Sequence, residues 1–229
     1  MVDSTPDASP HRFPDADVAA IYRVIAERRD MRHFRPDPVD PALLARLLWA
    51  AHHAPSVGYM QPWRFVRITD RGLRERMHAL GDVERCATAR ALGEREEDFM
   101  RLKVEGLLEA GEVIVVALAD GREKHVFGRR TLPEMDLASV ACAIQNMWLA
   151  ARAEGIGLGW VSIFDPAELA KLLGMPTGAR PVAILCIGHV EAFYPRPMLE
   201  IHQWAERMPL ETVVFENGWR DEVPAPTGG

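Results

Sequence analysis

The stretch "PEMDLASVACAIQNMWLAARAEG", residues 133–155, constrains the fold more than any other. Its apolar residues fall at helical spacing, yet they surround much of the circumference instead of lining one stripe. Gly155 ends it as a left-handed cap would. A helix with so little polar face belongs at the centre of a core or at a subunit interface. The strands that would pack around it are few. "RFVRIT" alternates like a half-buried strand, while "VIVVALA" (113–119), "GLGWVSIF" and "PVAILCIGHV" read as short buried ones. Helices dominate, and the pattern predicts an α+β fold with a mixed sheet flanked by helices.

The remaining helices announce themselves by caps. Residues 15–30 carry a helical pattern with Val18, Ile21, Tyr22 and Ile25 on one face. "DPALLARLLWAAHHAP" begins with Asp40 as N-cap and Pro41 in the first turn, and Pro55 stops it. Residues 71–110 read as largely helical, interrupted near Gly81 and Gly93 and capped at Gly111. "DPAELAKLLG" is a short capped helix. A single domain over residues 15–220 is expected, with a lid-like helical region at 80–105 and disordered tails at 1–14 and 221–229.

Several function classes drop out. The net charge is −6 without a basic block, which argues against a nucleic-acid partner. The sequence has no apolar run long enough to span a bilayer and no signal-peptide pattern, so a cytoplasmic protein is expected. Cys86, Cys142 and Cys186 form no C-x-x-C pair, and Cys142 and Cys186 read as small buried hydrophobes. The histidines, His33, His52 and His53 among them, show no ligand spacing, so no metal is expected. Neither a G-x-G-x-x-G nor a P-loop pattern is present.

The chemistry concentrates in "RRDMRHF", residues 28–34. If the preceding helix continues, Arg28 and Arg32 share a face at i,i+4 and Arg29 neighbours Arg32 at i,i+3. Guanidinium forks match phosphate oxygens in pairs, but the same cluster also suits a solvated helix C-terminus. Asp30 sits inside it, where it would repel an anion. "HHAPSVGYMQPW" (52–63) offers Ser56, Gly58 and Gln61 in a loop. That loop either holds the edge of a cofactor or simply connects two elements, with Trp63 plugging the core. The glycines of "GIGLGW" would let backbone approach a flat ligand.

Taken in order, "RRDMR", "APSVGYMQPW" and "GIGLGWVSIF" resemble the flavin-binding stretches of the FMN-dependent nitroreductase family. With "MDLASVACAIQNMWLAARAEG" and the ending "PLETVVFENGW", the resemblance is specifically to its 5,6-dimethylbenzimidazole synthase branch. It implies a nitroreductase-like fold, assembled as an intertwined homodimer with FMN at the subunit interface. Arg28, Arg29 and Arg32 match phosphate-holding positions, with Asp30 and Met31 in the same flavin-binding stretch. Ser56 matches a flavin contact, Leu102 a contact from the lid, and Ser162 the hydroxyl near the ring; Lys103 would add charge beside Leu102. That branch consumes reduced FMN, made by a separate flavin reductase, and O2. The products are 5,6-dimethylbenzimidazole and a four-carbon sugar phosphate.

Most members of the wider family carry serine where this chain has Asp30. Fragmenting a flavin needs proton transfers, and Asp30 is the carboxylate placed for them, with Ser162 as a second catalytic or oxygen-positioning group. Three arginines would lower the aspartate pKa from about 3.9, and burial would raise it. Phosphate binding would offset part of the arginine field and strengthen the base. The alternatives are a conventional NAD(P)H-dependent FMN oxidoreductase and a non-catalytic FMN carrier.

Overall fold

Trp63–Arg67 (β1), Glu112–Leu118 (β2), Gly157–Val161 (β3) and Arg180–Gly188 (β4) form one sheet in the order β1-β2-β4-β3. All three ladders are antiparallel. The sheet therefore departs from the mixed one expected, and among the described residues parallel pairing is confined to an isolated bridge between Asp30 and Leu158. The reason is topological. Each strand runs opposite to its sheet neighbours, and the segment after the first helix runs parallel to β3 at that bridge.

This computed structural model describes residues 9–219. Residues 1–8 of the expected N-terminal tail and the whole expected tail at 221–229 lie outside the described residues. The chain divides into two compact units at Phe193/Tyr194. In the second, Met198–Ile201 forms a helical turn, Leu210–Thr212 a 3-10 turn, and the rings of Phe215 and Trp219 lie 5.1 Å apart.

The first unit holds the sheet and its helices: Asp15–Glu27 (α1), Pro41–His52 (α2), Arg71–Ala91 (α3), Glu96–Arg101 (α4), Met135–Ala153 (α5) and Pro166–Leu172 (α6). β2 is buried along its whole length because both faces are covered. On one face Ile114, Val116 and Leu185 pack against α5 through Val140, Ile144 and Met147. On the other, Val113, Val115 and Ile184 meet Met77 of α3 and Leu169 of α6. Each fully buried aliphatic side chain contributes about 2 kcal/mol by leaving water. α5 is thus the central helix its composition implies, and Gly155 takes the left-handed φ of +74° just past its end.

Several local expectations are corrected. α3 runs straight through Gly81, where an interruption was expected. The other interruption expected, at Gly93, is present: α3 ends at Ala91 and Gly93 takes φ +57°. The helix expected up to Gly111 stops at Arg101, and Gly111 serves a close approach: a Cβ there would lie 2.6 Å from the Asp37 carbonyl. Cys186 is buried, its thiol pushed up to about 12 by burial, but Cys142 is exposed on the outer side of α5. Asp40 and Asp165 cap α2 and α6, accepting from Ala42 N at 2.7 Å and from Ala167 N at 2.7 Å. The apolar face of α1 points outward, with Ile21, Tyr22 and Ile25 all exposed and no residue of the helix buried.

Candidate active site

The helix carrying the arginine cluster ends earlier than its pattern suggests. α1 stops at Glu27, and Arg28 already has ψ 134°. Residues 30–32 instead lie against β3: Asp30 bridges Leu158, and Met31 N donates to Leu158 O at 3.0 Å. Gly159 permits this. A Cβ on it would lie 2.1 Å from Met31 O and 2.7 Å from an Arg32 guanidinium nitrogen. Gly159 of "GIGLGW" does admit backbone closely, but the backbone it admits is the chain's own. The helical i,i+4 pairing of Arg28 with Arg32 is therefore not formed.

Pinning Asp30 follows from that register. Arg32 grips its carboxylate with both terminal nitrogens, at 2.5 and 2.7 Å, and also donates to Trp160 O at 2.9 Å. Trp160 N donates to Asp30 Oδ1 at 2.9 Å. Arg32 is buried (side chain 9% exposed), whereas the Asp30 side chain keeps 42% of its surface open. The carboxylate is thus fixed from behind by three donors and accessible from the front. Burial raises its pKa above the ordinary carboxylate value; the Arg32 charge, the Trp160 N–H, the Arg32 hydrogen bonds and the Arg28 charge pull the other way without cancelling it. Of the two opposing influences expected from the sequence, burial dominates.

Trp148 organises the other two arginines. The Arg28 guanidinium lies over its ring, 4.4 Å from the centroid, and its indole N–H donates to Arg29 O at 3.1 Å. Arg29 donates to the carbonyls of Ala26 and Arg28, both at 2.8 Å, so it closes the end of α1 as a helix-terminal arginine would. Ser162 is exposed one residue beyond β3, on the same side of the strand as Trp160. Trp148 and Trp160 have ring centroids 6.4 Å apart. Arg28, Arg29, Asp30 and Arg32 therefore belong to one region, and Ser162 follows two residues after Trp160. Met31 joins that region through its main chain alone, because its side chain is buried.

Ser56 and Leu102 are held by other contacts. Ser56 Oγ accepts from Gln61 N at 3.0 Å, closing a turn in which Tyr59 and Gln61 take left-handed φ of +55° and +48°. Strained positions of that kind collect at ligand loops. Val57 N donates to Ser139 Oγ at 3.0 Å near the start of α5. Ser139 and Trp148 are nine residues apart, or about 13 Å along the helix. Leu102 is buried just after α4, its carbonyl accepting from Arg85 at 3.1 Å. Lys103 pairs with Glu109 at 2.6 Å, so its charge is matched locally.

The donor set suits a flavin phosphate: arginine side chains for a phosphoester beside an accessible carboxylate. Sequence reasoning missed Trp148 and Trp160 as site residues, and assigned the glycine run that holds Gly159 to a ligand instead of to the chain's own backbone. The only signal for them was two tryptophans on either side of the glycine run, and no spacing rule links them to arginines far away in the chain. No cluster of three or more metal-ligating side chains occurs among the described residues.

The Nitroreductase family model matches residues 25–189, which include the arginine segment, the Ser56 loop, α5 and β3. The 5,6-dimethylbenzimidazole synthase of Rhodospirillum rubrum is 46% identical over 190 residues, 81% of this chain and 89% of that protein. That of Rhodobacter capsulatus is 40% identical over 194 residues, covering 84% and 94%. In fold, the chain is similar to iodotyrosine deiodinase solved with FMN and 3-iodo-L-tyrosine, with a TM-score of 0.67, 22% identity and coverage of 87% and 100%. The chain belongs to the nitroreductase family, within its 5,6-dimethylbenzimidazole synthase branch.

Proposed function

We propose that this chain is a 5,6-dimethylbenzimidazole synthase that consumes reduced FMN and O2 and releases 5,6-dimethylbenzimidazole and a four-carbon sugar phosphate. The observation that carries this reading is the Asp30 carboxylate, fixed by Arg32 and the Trp160 N–H but open on one edge. Relatives of that activity at 40–46% identity support it. The reduced flavin itself supplies the electrons for O2 and the carbon skeleton of the product.

The residues divide the work. Arg28 and Arg29 bind the phosphate end. Asp30 takes a proton from the flavin, and its raised pKa makes it a better base than a solvated aspartate while the three donors hold its orientation. The arginine pull on that pKa weakens when phosphate binds, so the loaded site favours the stronger base. Arg32 serves Asp30 first, a role distinct from the phosphate contact expected of it. Ser162 presents its hydroxyl on the Trp160 side of the strand. Ser56 and Leu102 contact the flavin from a second copy of the chain. The exposed Ile21, Tyr22 and Ile25 face and the 13 Å offset of the Ser56 loop (about nine helical residues) favour such a homodimer. Reduced FMN would come from a separate flavin reductase in the cytoplasm, and no metal takes part.

The test begins without oxygen. Chemically reduced FMN is bound to the purified protein, air is admitted, and flavin absorbance and small products are followed together. Loss of the flavin spectrum with 5,6-dimethylbenzimidazole in the mass spectrum is expected. Clean return of intact FMN would refute the synthase reading, and NADH turnover of that same sample would then point to a conventional reductase.

A further inference from the structure

Three arginines close in sequence are held in three different ways, and one of the holders has no assigned role. Arg32 is clasped by Asp30, and Arg29 reaches carbonyls at the end of α1. Arg28 lies on the Trp148 ring at 4.4 Å, while the indole N–H of the same residue donates to Arg29 O at 3.1 Å. Trp148 sits on α5, the helix buried deepest in the core, and is itself only 8% exposed. One rigid side chain thus grips the 28–29 segment at both a guanidinium and a main-chain carbonyl, just where the chain has left α1.

We infer that Trp148 is a positioning residue for flavin phosphate recognition: it sets the direction of Arg28 and the path of the backbone that presents Arg28 and Arg29. This rests on the proposed assignment of those arginines to the phosphate. The physics favours an aromatic holder here. A carboxylate in the same place would neutralise the guanidinium it orients, whereas a ring attracts a cation through its quadrupole and carries no net charge. The indole N–H adds a fixed distance between α5 and the arginine backbone that phenylalanine or leucine cannot supply. Arg152, one turn further along α5, reinforces the docking from outside by donating to Glu27 O at 3.3 Å and pairing with the Glu27 carboxylate. That contact orders the end of α1 but reaches neither Arg28 nor Arg29.

The experiment compares flavins that differ only in phosphate. Intact protein, Trp148→Leu and Trp148→Phe are titrated anaerobically with reduced FMN and with reduced riboflavin, and their thermal midpoints are recorded. Trp148→Leu should weaken FMN by about tenfold, with riboflavin changed less than about twofold. Trp148→Phe, which keeps a ring but loses the N–H, should fall between. In an Arg28→Ala background, Trp148→Leu should cause little further loss of FMN affinity, since it acts through a group already removed. Equal weakening of both flavins by Trp148→Phe, or full retention of FMN preference by both variants, would overturn the inference. If the intact protein already binds the two flavins alike, the phosphate assignment fails and the inference fails with it. If only the variants match the intact protein, the assignment stands and the Trp148 role alone is lost.

Discussion

At the C-terminal end of α5, Trp148 holds the Arg28–Arg29 segment with a ring face and one indole N–H. At the N-terminal end, the same helix holds the 122–129 segment with charges and the adjoining Ser56 loop with a hydroxyl. Asp136, 8% exposed, pairs with Arg122 at 2.8 Å and with Arg129 at 3.1 Å, and Ser139 Oγ accepts from Val57 N beside the Ser56 loop. Arg122 also donates to the carbonyls of Ala119 and Gly178. Arginines bound to a buried carboxylate are spent on architecture. A tryptophan ring orients an arginine without adding a counter-charge of its own, which suits such an arginine to an anionic ligand. Residue type alone does not separate the two groups; the partner does.

The comparison can be broken first at the charged end. Asp136→Ala leaves two largely buried guanidinium groups without their carboxylate and should cost about 3 kcal/mol in denaturant unfolding. Because it loosens the Ser56 loop rather than the arginines of the proposed phosphate site, it should weaken FMN and riboflavin equally. A selective loss of FMN would erase the distinction between the two ends. Gly159→Ala comes next. Its Cβ must displace Met31 O, 2.1 Å away, so unfolding should cost about 2 kcal/mol less and the Asp30 register should be disturbed. Comparing amide exchange at Met31 in the two proteins checks the register directly, and unchanged protection there would contradict it.

Ser139→Ala sharpens the same comparison on a smaller scale, removing the acceptor for Val57 N at a cost of about 1 kcal/mol. Its flavin effect should again be independent of phosphate. The smallest effect is that of pH on the empty protein. The folded-state pKa of Asp30 is raised, so its protonated form is favoured by folding. That contribution is fully present below the unfolded carboxylate value and is lost as pH rises through the folded one. Thermal midpoints of intact protein minus those of Asp30→Asn should fall across that window, and a difference that rises with pH would reverse the sign assigned to burial.

Much of the frame was legible because its signals are local. The girth of hydrophobicity in α5, the aspartate caps at Asp40 and Asp165, and the unbroken apolar run of β2 each depend on neighbours within a few residues. The antiparallel pairing of the sheet was not legible, since register between distant strands leaves no mark in one strand's pattern. In the site, the arginines and Asp30 stood out by charge. Their arrangement did not, because it depends on Gly159 accepting the Met31 carbonyl and on Trp148 and Trp160 arriving from more than 100 positions away. The end of the helical stretch read over residues 71–110 was misjudged for a similar reason. Gly111 looked like a helix cap, but it answers to the Asp37 carbonyl, a contact invisible in its own neighbourhood.

The central claim is that Asp30 performs the proton transfer while Arg32 and Trp160 hold it still. The most direct measurement is a single turnover of Asp30→Asn, loaded with reduced FMN without oxygen and then exposed to air. The account predicts reduced FMN bound within about threefold of the intact protein, its return as intact oxidised FMN, and 5,6-dimethylbenzimidazole reduced by about a hundredfold or more, the scale of a lost general base. Product formed at the intact protein's rate would contradict it.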